Sequence, residues 1–425
     1  MIHKTLIQVC LCVCVSGAAV QIQAQDTVHI TLHDAEKQFV DKNLSLLAEK
    51  YNIDIARAQV IQAKLYTNPN LSFTGNIYNQ QNKKPFDISN KTGEYIIGIQ
   101  QMIRLAGKRN KEVQLAETGT SLSEDRFFDL LRTLRYTLRS NFFNAYYLQH
   151  SIAAYNNELR SLEALNASYE SLQAKGLVTL KDAIRIRSLL YSLKAEQASL
   201  QNQLNDGLAE LQLLLQNNKV YLVPEINADE PISVYLEKWQ LQNLVDTAFA
   251  NRRDLKLSEN TIRYNQQNYV LQKAMATPDL LVGGQFDKRG SFVDNASFFN
   301  LAMDLPFFHR NQGNIKAAKL SIDQSKIIYD QQKLAVENEV QRAYTKAMNT
   351  NKMLQSIDPL FKDQFEKLLL GITENFQKKN ISLIEFTDFY ESYKNNILQF
   401  NQLQNERMQA IEALHFAIGK TLITN

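Results

Sequence analysis

The sequence predicts a mainly α-helical chain that carries membrane β-hairpins, built from a duplicated unit of helix, β-hairpin and long helical hairpin. Three observations predict it. From Lys108 to Gln216 there is no proline, and a heptad-like apolar spacing is interrupted only by a short turn at Ala174 to Leu180. Two pairs of segments, about 71–80 with 95–102 and about 280–288 with 297–305, alternate apolar with polar or small residues as strands with one greasy face do. The second half also repeats the first, since Leu241, Leu255, Ile262, Pro278 and Leu280 fall on Leu32, Leu46, Ile53, Pro69 and Leu71 at one constant offset.

Totals exclude several classes. A formal net charge of +3 over 425 residues gives no electrostatic footprint for nucleic acid. A hydrophobic content of 44% with a mean hydropathy of −0.32 fits a largely wetted chain, and beyond the first residues no run is long and apolar enough for a membrane helix. Residues 1–24 read as a secretory signal peptide, with Lys4 ahead of an apolar stretch from Leu6 to Val15 and a small residue, Ala24, at the cut. All three cysteines, Cys10, Cys12 and Cys14, lie inside it, so the mature chain is expected to hold no disulfide or cysteine-ligated metal. Val9, Leu11 and Val13 precede those cysteines where a lipoprotein needs a small residue, which speaks against lipidation.

The first repeat is expected over 25–218. Thr31 to Tyr66 reads as one helix, ended by Asn68-Pro69-Asn70. Leu71, Phe73 and Ile77 then alternate with Ser72, Thr74 and Asn76, and after a polar loop from Gln80 to Gly93 a second strand alternates Tyr95, Ile97 and Ile99 with Gly98 and Gln100. The helical hairpin spans about 108–216. Its outgoing arm, roughly 67 residues at 1.5 Å each, gives a rod of about 100 Å. Phe127, Leu131, Leu134, Leu138, Phe142, Ala145, Leu148, Ile152, Tyr155, Leu159, Leu162, Leu165, Tyr169 and Leu172 form its seam. Ile186, Leu190, Leu193, Leu200, Leu204, Leu208, Leu211 and Leu215 answer on the return arm, and Gly176 supplies the left-handed residue of the reversal.

Residues 219–240, with Pro224 and Pro231, read as an irregular link. The second repeat follows over 241–425, its helical hairpin at about 313–419. The second turn, Lys378 to Leu383, aligns with the first so that Lys379 faces Gly176, and Asn380 is the residue that best tolerates a left-handed turn there. Pro359 is expected to kink or break the outgoing arm. Trp239, the single tryptophan, reads as structural at the start of this repeat.

Strands of about ten residues, apolar on one face, have the length of tilted barrel strands that cross a bilayer. Four strands cannot close a ring, and open edges are forbidden in lipid, so several chains must pool theirs.

Over essentially the whole mature chain the residues resemble TolC-type outer-membrane efflux channels. The likeness rests on the tip Lys175-Gly176-Leu177-Val178-Thr179-Leu180-Lys181-Asp182, on Leu105-Ala106-Gly107-Lys108-Arg109 after one hairpin, and on Leu305-Pro306-Phe307-Phe308-His309-Arg310-Asn311-Gln312-Gly313 after the other. The two post-hairpin motifs, with Pro359, lean toward the heavy-metal efflux branch. The resemblance implies a homotrimer with a 12-stranded β-barrel in the outer membrane of a Gram-negative bacterium, continued by a periplasmic α-helical barrel. It also implies a periplasmic adaptor and an inner-membrane pump as partners. Cargo would be metal cations, with drug efflux or type I secretion as alternatives. A periplasmic coiled-coil scaffold without a pore is the reading from another class; it accounts for the helices but not for the duplicated strand pairs.

Glu385 and Asp388, three apart on one helix face, match acidic positions that line the family's periplasmic aperture, and threefold repetition would make carboxylate rings. The plain alternative is a solvated pair beside Lys378 and Lys379. Asp182 and Arg185 stand at the equivalent first-repeat positions with opposite charges that are free to pair. The tip residues Gly176, Leu177, Val178, Thr179, Asn380, Ile381 and Ser382 are candidate adaptor contacts, because Leu177, Val178 and Ile381 are apolar at an otherwise wet apex. His29, His33 and Asp34 are a weak start to a metal site, and His150, His309 and His415 are scattered. No phosphate loop, nucleophile constellation or cofactor motif appears, so no enzyme activity is expected.

Overall fold

The computed structural model describes residues 26–226, 236–289, 293–358 and 361–422. In chain order the elements are β1 (Asp26–Thr31), α1 (Leu32–Lys42), α2 (Leu44–Ala63), β2 (Asn70–Gly75), β3 (Tyr78–Asn79), β4 (Lys84–Pro85), β5 (Tyr95–Ile103), α3 (Lys108–Ala174), α4 (Leu180–Leu215) and β6 (Val220–Glu225). A short 3-10 turn, Leu236–Lys238, then leads to α5 (Leu241–Asn251), α6 (Arg253–Met275), β7 (Leu280–Arg289), β8 (Asp294–Met303), α7 (Gln312–Gln355), α8 (Phe361–Gln377) and α9 (Leu383–Ile418). Among the described residues no helix is long and apolar enough to cross a membrane. The chain divides into two compact units, and α3 and α9 contribute residues to both.

The first unit takes Met1–Lys42, Leu138–Pro231 and Lys362–Asn405. Within it α3 and α4 pack as the apolar seam predicts. Tyr155, Leu159 and Leu162 are buried against Ile186, Leu190 and Leu193, and Phe376, Phe386 and Tyr390 from α8 and α9 join the same core. Phe376 stacks on Phe386 with centroids 4.3 Å apart and on Tyr169 at 5.8 Å. Each buried aromatic side chain contributes about 2–3 kcal/mol from area alone. Ion pairs suture the wet margin of the two arms, Lys194 with Glu163 and Arg187 with Glu170, both at 2.7 Å.

The link is not wholly irregular. β6 pairs in parallel with β1, in register from Asp26↔Val220 to Thr31↔Glu225. Pro224 is accommodated in this two-stranded ribbon, where a strand has a free side that asks for no backbone donor. Pro231 lies outside the described residues.

The second unit takes Asn43–Thr137, Ile232–Phe361 and Glu406–Asn425. The helix expected over 31–66 is divided at Asn43, whose backbone is extended (φ −63°, ψ 118°) and whose side-chain oxygen accepts the Leu46 N–H at 3.1 Å. An asparagine that caps a new helix ends the previous one. Leu244, Val245 and Ala248 of α5 pack on Val336, Val340, Ala343 and Ala347 of α7 and on Ala410, Leu414 and Ala417 of α9, the alanines permitting close helix approach. Trp239 packs against this core, and its carbonyl accepts the Tyr344 hydroxyl at 2.9 Å. α7 ends at Gln355 and α8 begins at Phe361, so the outgoing arm of the second hairpin is two helices. Pro359 itself lies outside the described residues, as does the expected signal segment.

Four strands form one antiparallel sheet in the order β2-β5-β7-β8, so the two hairpins pair with each other through β5 and β7. The first strand stops at Gly75, short of the expected 80. The polar loop after it is partly ordered, with β3 paired to β4 and the Asp87 carboxylate taking bonds from Ser89 N–H, Asn82 and the Thr92 hydroxyl.

Candidate functional site

Two places carry the candidate residues: the helix turns of the first unit and the sheet of the second. At the first turn Gly176 has φ +71°, the left-handed conformation expected of it. Its N–H reaches Gln173 O at 3.0 Å and the Leu177 N–H reaches Leu172 O at 2.9 Å, which closes α3. Thr179 opens α4 by accepting the Asp182 N–H at 3.1 Å, while its hydroxyl donates to the Asp182 carboxylate at 2.7 Å. Asp182 is thus engaged by its cap, and no ion pair joins it to Arg185 among the described residues.

The second turn has the same hydrogen bonds, with the Lys379 N–H on Phe376 O at 2.9 Å and the Asn380 N–H on Asn375 O at 2.8 Å. The left-handed residue is Lys379, at φ +61°, and not Asn380. The bonding pattern fixes which position must be left-handed, and Asn380 instead turns its side-chain amide onto Asn375 at 3.1 Å. Ser382 then starts α9. Its N–H donates to the Glu385 carboxylate at 2.8 Å and its hydroxyl accepts the Glu385 N–H at 3.2 Å, a reciprocal capping box. The Ser382 backbone bond, reinforced by its hydroxyl, holds the Glu385 carboxyl below the usual carboxylate range. The Ser-x-x-Glu spacing announces this box in the sequence. Asp388 is exposed on α9, while Phe386 and Tyr390 turn into the core.

Leu177 is exposed, Val178 is half-buried, and Ile381 packs on the aromatic core. Leu180, Ile184 and Ile384 add further exposed apolar surface near the turns. Helical spacing could have singled them out, since Leu180 and Ile184 share a face that the buried seam of α4 leaves over. Deeper in this unit Lys394 Nζ lies 2.9 Å from both carboxylate oxygens of Glu196, which also accepts the Tyr155 hydroxyl at 2.8 Å. Burial works to raise the Glu196 pKa, but Lys394 and Tyr155 outweigh it and the group is held low. At the start of the unit His29 Nδ1 sits 2.6 Å from Glu225, and Asp34 is bonded to Thr31 at the head of α1. No group of three metal-binding side chains forms among the described residues.

The sheet sorts its side chains by face. Register puts Leu71, Ile99, Gly284 and Phe299 on one line, and Phe73, Ile97 and Phe286 with Ser297 on the next. Ile103, Leu280 and Met303 share the same face, on which Phe299 and Leu71 are exposed by 70% and 73%. The opposite face carries Ser72 and Thr74 of β2, Gln100 of β5, Gln285 of β7 and Asn300 of β8, interspersed with Met102, Leu281 and Phe298. Among the described residues β2 and β8 each pair on one side only, leaving two open edges. A face on which Leu71, Phe73, Phe299 and Leu301 are all more than 60% exposed, beside two unpaired edges, marks a surface that calls for an apolar neighbour and further strands.

Residues 37–217 match the family model described as "Outer membrane efflux protein". A curated relative, outer membrane protein TolC of Salmonella enteritidis, is 28% identical over 184 residues, which is 40% of this chain and 37% of that protein. The alignment thus spans little more than a third of the relative's length. Two solved structures share the fold along nearly the whole chain. A membrane protein from Pseudomonas aeruginosa has a TM-score of 0.74 at 18% identity, covering 92% of this chain and 90% of that one. The CmeC outer membrane channel of Campylobacter jejuni has a TM-score of 0.73 at 15% identity, covering 91% and 85%.

Proposed function

We propose that this chain, which is TolC-like in fold and matches the outer membrane efflux protein family over residues 37–217, is the outer-membrane exit duct of a tripartite efflux system. The observation that carries the reading is the four-stranded sheet with one apolar face, one polar face and two open edges. Three copies joined β8 to β2 would close twelve strands into a ring, leave no edge in lipid and place the polar face around water. The long helices would lie in the periplasm, where a periplasmic adaptor fed by an inner-membrane pump would meet their turns.

In this reading Gly176, Leu177, Val178, Thr179, Asn380, Ile381 and Ser382 form the adaptor contact. The exposure of Leu177 supports it, and exposed Leu180 and Ile384 extend the surface. Glu385 and Asp388 form acidic rings at the aperture, Asp388 with its carboxylate free of the cap that occupies Glu385. Planar-bilayer recording tests the duct: a trimer that conducts, and conducts more after Glu385→Ala with Asp388→Ala, supports it. Verified insertion without current in either protein favours a coiled-coil scaffold. Metal cations are the proposed cargo, on the strength of the two post-hairpin motifs. A deletion strain sensitive to lipophilic drugs but not to transition-metal salts would overturn that choice while leaving the duct.

A further inference from the structure

The polar face of the sheet sets amides and hydroxyls among Ile96, Met102, Leu281 and Phe298. Asn300 Nδ2 donates to Gln285 Oε1 across β7 and β8 at 3.4 Å. Gln100 lies over Gly283, where a Cβ would come within 2.8 Å of Gln100 Cγ and of the Ile99 carbonyl, so the absent side chain makes room for the amide. Ser72 closes onto the Gly98 carbonyl at 3.3 Å. Among the described residues, ionisable side chains enter the paired register of this face only toward the far end of β7 and β8, as Asp287 and then Arg289 opposite Asp294.

We propose that Gln100, Gln285 and Asn300 form a charge-neutral, hydrogen-bonding girdle on the pore side, so that the barrel passes solutes of either charge and leaves charge selection to other parts of the chain. The inference rests on the duct reading. Its physical basis is that wall charges act over about one Debye length, ~10 Å at 0.1 M salt. Amides offer solutes donors and acceptors of both senses without a net charge. The girdle itself holds no ionised side chain; the nearest on this face, Asp287, stands two residues along β7 from Gln285, about 7 Å away and within one Debye length, so its charge has to be removed before the girdle's own neutrality is read.

The test uses the full chain in planar bilayers under a KCl gradient, in the background Glu385→Gln, Asp388→Asn and Asp287→Asn so that neither the turn acids nor the nearest acid of this face contributes. Gln285→Cys is introduced and modified after assembly with a positively or a negatively charged thiol reagent; the other cysteines, Cys10, Cys12 and Cys14, fall in the expected signal segment. Relative to the unmodified channel, the two reagents should drive the potassium-to-chloride permeability ratio in opposite directions by about two- to tenfold. A fully labelled Gln285→Cys channel whose reversal potential does not move, or moves the same way with both reagents, overturns the girdle. Absence of current from the inserted unmodified protein would instead bring down the duct reading, and the girdle with it.

Discussion

Ser382 and Glu385 hold each other at the start of α9, the Ser382 N–H donating to the Glu385 carboxylate at 2.8 Å while the Ser382 hydroxyl accepts the Glu385 N–H at 3.2 Å. One acidic residue therefore has a structural task that its neighbour Asp388 does not share. Ser382→Ala should cost about 1 kcal/mol of helix-end stability, read as faster amide exchange across 380–388. Asp388→Asn should leave that exchange unchanged. If both substitutions loosen the turn equally, the capping box is not what secures it.

The same pair sets a pH dependence. The folded-state pKa of Glu385 is depressed, so its stabilisation is fully present above the ordinary carboxyl value of 4.5 and is lost as pH falls through the lower folded value. Amide protection at 380–388 should decline on acidification below about pH 4.5, and Glu385→Gln should flatten the decline. An unchanged acid limb in Glu385→Gln would assign the transition to another group.

The two turns differ in one residue that decides backbone strain. Gly176 and Lys379 occupy the same left-handed position, at φ +71° and +61°. A side chain there costs about 1 kcal/mol or more. Lys379→Gly should therefore stabilise by about 0.5–1 kcal/mol and Gly176→Ala destabilise by about 1 kcal/mol. The latter is a pure backbone effect, because a Cβ on Gly176 meets nothing within 4 Å. Denaturant unfolding of the detergent-solubilised protein measures both, and equal signs for the two changes would contradict the geometry.

These turns show what one-dimensional patterns reveal. The seam of α3 and α4 was legible because helical periodicity is local: Leu138, Phe142, Ala145, Tyr155 and Leu162 are buried as their spacing requires. The sheet faces were legible for the same reason at period two. The β1–β6 ribbon was not, since its strands are six residues each, pair across most of the first repeat, and include Pro224. Asn43 hid the division between α1 and α2 because a single capping residue leaves the apolar spacing on either side nearly intact. The left-handed Lys379 is not legible from propensity, which favours Asn380, because the hydrogen bonds to Phe376 and Asn375 dictate the position. The Ser382–Glu385 box is written in the sequence as Ser-x-x-Glu, but an acid on a helix face suits an aperture as well as a cap, and spacing alone does not choose between them.

An ionic cluster closes the end of α9. Arg252, only 4% exposed in its side chain, pairs with Asp254 at 2.5 Å and with Glu339, and donates to the Ala417 carbonyl at 3.1 Å. Arg132 donates to the neighbouring Phe416 carbonyl at 2.8 Å, so two guanidinium groups close the carbonyl end of the helix. Arg252→Met should cost about 3 kcal/mol, chiefly because Glu339 loses its cation and Asp254 keeps only Arg132, at 3.5 Å. Adding Asp254→Asn and Glu339→Gln should recover much of the loss by removing the carboxylates whose main partner is gone. Gly419→Ala should destabilise independently by about 1–2 kcal/mol, since its φ is +69° and a Cβ would lie 3.2 Å from Arg252 Cγ. Thermal unfolding of the parent and these three variants, followed by circular dichroism, checks the set. If the triple variant proves no more stable than Arg252→Met, the arginine acts through its packing and helix-end bond and not through the two carboxylates.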